Sequence, residues 1–194
     1  MGTTNQAEKR KIEIQISDDL KKEHQLILKY IGLMERYIEF SLENSNKPIL
    51  LDKAEEFIGF IQKFADRFHH AKEEDILFKH LAAPGVLTHC NPLPQMLVEH
   101  DLGRKYVQGM KDSLTNKDLD KLIDNTRDYG KLLKEHIQKE DNILYPMAEN
   151  GIADSVKNAL LNEYNNVEMQ IGAQNVWNEY DKKFVELEKY LNHE

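Results

Sequence analysis

The sequence predicts an all-α protein: an up-down four-helix bundle with an additional C-terminal helical segment. Apolar residues recur every three to four positions through most of the 194-residue chain, which is the period of helices that bury one face. No stretch shows the strict alternation that is typical of a half-buried strand. We expect a flexible leader over residues 1–16, the bundle over residues 17–150 and the helical extension over residues 151–194.

The first two helices are bounded by capping and turn signals. Ser17 is a good N-cap, and two aspartates follow it in the first turn, where the helix dipole favours anions. The sequence NSNKP at 44–48 ends this helix. The second helix is predicted over about residues 49–81, and it ends before Pro84.

A proline-rich connection leads to the second half of the bundle. The third helix is predicted over about residues 95–114 and the fourth over about residues 118–148, closed by Gly151. Apolar residues continue at helical spacing over residues 152–191, but their phase breaks at 172–175, which predicts a kinked helix or two helices. Their apolar stripe either packs on the bundle or forms a homodimer contact.

The composition disfavours several classes of partner and metal site and indicates a location in the cell. The formal net charge of −8 disfavours nucleic acid and anionic membranes, which reward clustered Lys and Arg. Cys90 is the only cysteine, so an intramolecular disulfide and a cysteine-cluster metal site are excluded. No apolar run approaches the roughly 20 residues of a membrane span, and the N-terminus lacks a signal-peptide core. We therefore expect a cytoplasmic protein.

Two short signals occur once in each half of the chain. The segments 69–78 (HHAKEEDILF) and 136–145 (HIQKEDNILY) share the spacing of His, Lys, Glu, Ile and Leu. The segments 23–30 (EHQLILKY) and 99–106 (EHDLGRKY) share Glu, His, Leu, Lys and Tyr. Each half therefore carries one histidine followed by one His-x-x-x-Glu, which supplies the duplicated imidazoles and carboxylates that a two-metal site in a bundle core needs.

Helical spacing decides which side chains can converge. Residues four apart lie on one helix face, so the histidine and the glutamate of each His-x-x-x-Glu can point into the bundle together. Two carboxylates can bridge two cations, and mixed imidazole and carboxylate ligands with open positions favour redox-active iron. The candidate metal ligands are His24, His69, Glu73, His100, His136 and Glu140.

Two neighbouring positions compete with this set. His70 and Glu74 are also four apart, but His136 aligns with His69 whereas Ile137 aligns with His70. The repeat therefore favours His69, and we expect His70 to support the ligands or line the entrance. Asp141 lies five residues after the last motif histidine, and Glu140 is preferred because it mirrors Glu73.

The order His…His-x-x-x-Glu…His…His-x-x-x-Glu, with Ile-Leu-Phe or Ile-Leu-Tyr after each motif, resembles the hemerythrin-like (HHE cation-binding) family over about residues 18–150. The resemblance implies a non-haem di-iron centre held by the six candidates, with Glu73 and Glu140 bridging the two iron ions. The oxygen-carrying members have a second histidine on the third helix, where this chain has Arg104. An iron with fewer protein ligands favours reaction with a small molecule over reversible oxygen carriage.

The resemblance leaves several functions open. The first is binding or reaction with oxygen, peroxide or nitric oxide at the two iron ions. The second is an iron- or gas-sensing regulatory module, in which occupancy alters the C-terminal helices. The third is iron donation for iron-sulfur centre repair. Hemerythrin-like proteins proposed to act in repair usually carry a cysteine in an N-terminal segment, whereas Cys90 lies in a mid-chain loop, so we rank repair lower.

Overall fold

The computed structural model of the protein describes residues 14–44 and 46–193, which form six helices and contain no strand. The predicted all-α class and the additional C-terminal helices are therefore confirmed. The bundle helices are α1 (Asp18–Glu43), α2 (residues 49–81), α3 (Leu93–Asn116) and α4 (residues 119–151), and the extension consists of α5 (Asp154–Ile171) and α6 (Ala173–His193).

Two of the bundle helices contain wide π-helical turns. α2 runs through the α-helical segment Ile49–Phe60, two π-helical segments and a last α-helical turn, Phe78–Leu81. The π-helical segments are Ile61–His70 and Glu73–Leu77 in α2, and Glu140–Leu144 in α4. The two shorter segments begin at equivalent glutamates of the repeat. π-Turns are rare and concentrate at functional sites. Their position therefore marks the part of the bundle that carries the two His-x-x-x-Glu motifs as a candidate functional site.

The observed helix boundaries differ from the expected ones at the end of α4, which runs through Gly151, and at α3. This helix begins at Leu93, two positions before the predicted start, with Pro94 in its first turn. Proline is tolerated there because the first-turn N–H groups have no intrahelical acceptor. At the other break, Gly172 has a φ of 71° and ends α5 in the left-handed conformation, so the predicted phase break separates two helices.

The bundle core consists of two apolar clusters with a polar layer between them. On α1, Leu20 belongs to one cluster and Leu26 to the other, and His24 lies between them. On α4, Leu133 and Leu144 likewise belong to different clusters and flank the second His-x-x-x-Glu. Apolar packing above and below therefore fixes the four helices that carry the polar side chains.

The C-terminal helices pack on the bundle in this structure. Tyr180 and Leu187 of α6 are buried against α1 and α2. The Tyr30 hydroxyl donates a hydrogen bond to the Tyr180 carbonyl at 2.7 Å, and the Tyr37 hydroxyl donates to the Leu187 carbonyl at 2.8 Å. Buried tyrosines with satisfied hydroxyl groups thus join α1 to α6.

The predicted leader falls mostly outside the described residues. At its described end, Ile16 is buried, and its N–H donates to the Glu149 carboxylate at 2.8 Å. The packed part of the chain thus includes a residue that we had assigned to the leader. None of the described helices combines the length and the apolar character that a membrane span requires.

Candidate metal centre

The polar layer contains two overlapping groups of buried side chains. The first cluster is His24, His69, Glu73 and Glu140, and the second cluster is His70, Glu73, His100 and His136. Within each cluster, one possible ligand atom from every residue lies within 4.8 Å of all the others. The structure therefore brings the six predicted residues together and adds His70.

In the first cluster, two imidazoles face each other across the space between α1 and α2. Their Nε2 atoms, from His24 and His69, are 3.0 Å apart. A Glu140 oxygen lies 3.3 Å from Nε2 of His24, and a Glu73 oxygen lies 3.5 Å from Nε2 of His69. Two nitrogens that are each about 2.1 Å from one cation lie roughly 3–4 Å apart, so this spacing suits a shared metal ion.

The second cluster repeats this arrangement between α3 and α4. The Nε2 atoms of His100 and His136 are 2.9 Å apart. The other Glu140 oxygen lies 3.0 Å from Nε2 of His136, and the same Glu73 oxygen as before lies 3.6 Å from Nε2 of His100. Each glutamate therefore faces both clusters, which is the placement that a bridging carboxylate needs.

In each of the four histidines, the ring nitrogen that faces away from the cluster, Nδ1, is hydrogen-bonded to another carboxylate. The Nδ1 atoms of His24 and His69 lie 2.8 Å from carboxylate oxygens. Those of His100 and His136 lie 2.7 and 2.8 Å from carboxylate oxygens. Because a carboxylate accepts, each Nδ1 carries a proton, and each Nε2 faces inward, which is the orientation of metal-binding histidines. The four acceptors, in the same order, are Asp141, Glu23, Glu74 and Glu99.

Two lysines extend the repeat outward. Lys72 forms an ion pair with Glu23, and Lys139 forms an ion pair with Glu99. Each lysine follows its motif histidine by three residues, so it lies on the same helix face one turn later. The sequence therefore encodes two copies of one hydrogen-bonded unit: a lysine, a carboxylate and a histidine.

The two halves differ at two positions. His70 stacks on His100 with ring centroids 3.8 Å apart, whereas the equivalent Ile137 belongs to the apolar core. Tyr145 donates a hydrogen bond from its hydroxyl to Glu73 at 2.7 Å, whereas the equivalent Phe78 has no hydroxyl group. The second cluster thus gains an imidazole and the first cluster gains a phenol.

Burial of the site destabilises the charged forms of its ionisable side chains when no cation is bound. Burial and the neighbouring Glu140 carboxylate raise the pKa of Glu73 well above its ordinary value. Burial lowers the pKa of His69, and it lowers the pKa of His70 to about 3. Burial opposes protonation of His24, but the Asp141 and Glu140 carboxylates outweigh it and raise its pKa to about 10. Protons therefore occupy part of the metal-free site at neutral pH.

Unpartnered atoms test whether the residues fit a metal. Nε2 of His70, one oxygen of Glu73 and both oxygens of Glu140 are buried without a hydrogen-bond donor or acceptor. A buried polar atom of this kind normally has a partner, and its absence is costly. All four atoms belong to the two clusters. Cations between the clusters would satisfy them, so the donor set fits a metal centre.

The sequence missed part of this arrangement. His70, which we expect to support the ligands or line the entrance, is one of the four residues of the second cluster that could hold a metal. Asp141 was considered as a ligand and instead accepts from Nδ1 of His24. Glu23 and Glu99 were not recognised as supporting carboxylates, although each immediately precedes a histidine in both copies of the repeat.

Comparison with known proteins agrees with this geometry. The family model described as the hemerythrin HHE cation binding domain matches residues 15–148. No curated protein and no solved structure matches the chain. The matched segment covers more than half of the chain and contains both clusters. The chain therefore belongs to the hemerythrin HHE cation-binding domain family.

Proposed function

We propose that the protein is a non-haem di-iron protein that binds or reacts with oxygen, peroxide or nitric oxide. The observation that carries the proposal is the pair of His-rich clusters that share Glu73 and both face Glu140. Shared carboxylates offset the repulsion between two nearby cations. The proposed ligands are His24, His69, Glu73, His100, His136 and Glu140, with His70 as a seventh.

Iron is the metal that this donor set favours, because imidazole and carboxylate ligands with open positions are typical of oxygen-reactive iron. Iron held there would supply one-electron chemistry toward a small oxidant. The chain itself orients the imidazoles through their Nδ1–H groups. Tyr145 adds a proton donor at the first cluster, because its hydroxyl lies 2.7 Å from Glu73 and 3.2 Å from Nε2 of His24.

A small cavity beside the second cluster supports a small reactant. Its volume is about 60 Å³, and its lining includes His70, His100 and His136. Gly103 of α3 and Tyr129 of α4 line it farther from the clusters. A cavity needs about 10–15 Å³ to hold one water molecule, so this one has room for water, a diatomic molecule or peroxide. The hydroxyl of Tyr129 is buried there without a partner.

The direct test is reconstitution followed by exposure to each reactant. Protein loaded with ferrous iron without oxygen should contain about two iron ions per chain. Its absorption spectrum should then change on separate addition of oxygen, peroxide or nitric oxide. One zinc ion per chain, with no capacity for a second ion, would remove the di-iron proposal. An unchanged spectrum with all three reactants would remove the reactivity while leaving the metal site.

Filling the cavity should slow the reaction without removing iron. A Cβ atom at Gly103 would lie 3.7 Å from the Tyr129 ring, an ordinary contact, so Gly103→Ala should fit. Gly103→Leu places three further carbons in the cavity and should slow reaction with nitric oxide about tenfold or more, an order-of-magnitude expectation for a blocked path. Stopped-flow absorbance measures the rate, and iron content is the control. Equal rates in both variants would mean that the reactant enters elsewhere.

A sensing module is the second candidate. It is favoured by the contact between α5 and the Glu73–Leu77 segment of α2, because this segment carries a shared glutamate. A homodimer through the C-terminal helices belongs to this candidate. If occupancy controls such a dimer, sedimentation analysis of the iron-loaded and iron-free proteins should give different masses. Equal masses would favour the reactive di-iron protein without a dimer switch.

A further inference from the structure

The two lysines of the repeat have different surroundings. Lys72 and Lys139 occupy equivalent positions, and each pairs with the carboxylate that holds a motif histidine from behind. The side chain of Lys72 is 0% exposed, whereas that of Lys139 is 37% exposed. The equivalent positions of the two lysines in the repeat do not by themselves account for this difference.

The difference comes from α5 and from Phe68 of α2. Glu168 of this helix lies 2.8 Å from the Lys72 ammonium group, opposite Glu23. The same ammonium group lies 4.2 Å from the centroid of the Phe68 ring and 6.0 Å from that of the Tyr164 ring. Among the described residues, Lys139 has no second carboxylate to correspond to Glu168. The C-terminal extension therefore covers one copy of the unit and leaves the other in contact with solvent.

Covering Lys72 restrains a ligand of the first cluster. Lys72 is held between two carboxylates, so it cannot turn away from Glu23 without leaving a buried charge unpaired. Glu23 in turn accepts the Nδ1–H of His69 at 2.8 Å and fixes the orientation of that ring. Glu168 thus acts on His69 through Lys72 and Glu23, and touches no metal position itself.

The second cluster lacks this restraint and borders a cavity. Lys139 is partly exposed, so water can replace it as a partner of Glu99, whose other donors are Nδ1 of His136 and the side-chain amide of Gln95. The cavity of about 60 Å³ reaches His100 and His136 from between α2, α3 and α4. Water or a small chelating group in this cavity would therefore contact histidines of the second cluster directly.

We propose that the two metal positions exchange at different rates and that Glu168 is the positioning residue that sets the difference. The ion of the first cluster is retained, and the ion of the second cluster is the exchangeable one. This inference rests on the proposed two-ion centre. It assigns the C-terminal extension a role at that centre, since α5 supplies the carboxylate that closes one side of it.

The test is chelator-driven release of ferrous iron from the full-length, iron-loaded protein without oxygen. Ferrozine absorbance should show two phases of about equal amplitude in the unaltered protein. Glu168→Ala should accelerate the slow phase about tenfold and leave the fast phase unchanged, taking the lower end of the effect of losing an outer partner of a metal-bound histidine. Glu163→Ala is the matched control, because Glu163 lies on the same helix and pairs with His80 near the surface.

Further variants assign the phases. His70→Ala should accelerate the fast phase alone, because His70 belongs to the second cluster. Glu168→Gln keeps an acceptor for Lys72 and removes the charge, so it should give a smaller acceleration of the slow phase. This variant carries the test if Glu168→Ala does not fold, as judged by circular dichroism.

Three results would overturn the inference. A single release phase of two ions in the unaltered protein would mean equivalent positions. Equal acceleration of both phases by Glu168→Ala would mean general loosening of the fold. No acceleration by either Glu168 variant would mean that α5 does not restrain His69. Binding of only one ion by the unaltered protein would instead contradict the two-ion proposal, and metal analysis before chelation distinguishes that failure from the other three.

Discussion

Glu140→Gln is expected to reduce the bound metal from about two ions to less than one ion per chain. The Glu140 carboxylate has one oxygen 3.0 Å from Nε2 of His136 and the other 3.3 Å from Nε2 of His24. It therefore faces both proposed ions at once. Gln keeps the size of the side chain but removes the charge and one acceptor oxygen. Affinity for the pair should fall more than ~100-fold, beyond the 10–100-fold cost of losing an outer partner.

The measurement is elemental analysis after reconstitution with ferrous iron without oxygen and removal of free metal. Glu135→Gln is the matched control, because Glu135 is exposed on the same helix and should retain two ions. His70→Ala should weaken the second cluster and retain the ion between His24 and His69. If His70→Ala and Glu140→Gln lost metal equally, the bridging role of Glu140 would be wrong.

The sequence predicted which side chains converge because their spacing is a property of single helices. His69 and Glu73 share one face whatever lies opposite, and the repeat singles them out from other charged pairs. The supporting carboxylates were missed for the opposite reason. Glu23 immediately precedes His24, yet it bonds to His69 on a neighbouring helix. Such a pairing depends on how two helices face each other, which the period of one helix does not reveal.

Two features kept the sequence from placing His70 among the candidate ligands. The repeat aligned it with Ile137, so duplication argued against a ligand there. The spacing argument also assumed regular α-helix, whereas the segment Ile61–His70 is π-helical. A wider turn brings consecutive residues closer to one face, and both His69 and His70 are buried in the polar layer. His70 therefore belongs to the second cluster although the other half of the repeat has no histidine at the equivalent position.

The same lesson applies to the C-terminal extension. Its apolar stripe predicted a helix that packs on the bundle or forms a dimer contact. Neither prediction included an ion pair between Glu168 and the bundle. This residue belongs to the charged positions of α5, which look like a solvated face in the sequence. Its partner, Lys72, lies 96 positions earlier in the chain. A contact between such distant residues follows from the docking of α5 on α2, which the periodicity of either helix leaves undetermined.

Removing the metal is expected to cost the protein a large part of its thermal stability. Glu73 and Glu140 are both fully buried, and without cations burial and the charge of Glu140 disfavour ionisation of Glu73. Metal binds the folded state preferentially and stabilises it by ~4 kcal/mol per ion at a free concentration of about 1,000 times the dissociation constant. Because ~1 kcal/mol shifts the melting temperature by about 2–4 °C in a protein of this size, two ions should raise it by roughly 15–30 °C.

The gain should shrink as the pH falls from 7.5 toward 5. In the metal-free protein, neighbouring carboxylates outweigh burial and raise the pKa of His24 to about 10, and they also raise the pKa values of His100 and His136. Metal must displace these protons, so a lower pH weakens binding. Protonated His24 also stabilises the metal-free fold. That contribution is complete below the unfolded pKa of ~6.5 and is lost as the pH rises through about 10. Both effects reduce the difference between the loaded and metal-free proteins at low pH.

Scanning calorimetry of both forms at pH 5, 6, 7 and 7.5, with fixed free ferrous iron and no oxygen, measures this dependence. The metal-free protein should remain helical by circular dichroism, because the two apolar clusters do not require the ions. Glu135→Gln should reproduce the full gain, and Glu140→Gln should lose most of it. A melting temperature that does not change with metal at pH 7.5, although two ions are bound, would mean that the polar layer is equally stable without cations. A gain that grows as the pH falls would contradict the assignment of protons to His24, His100 and His136.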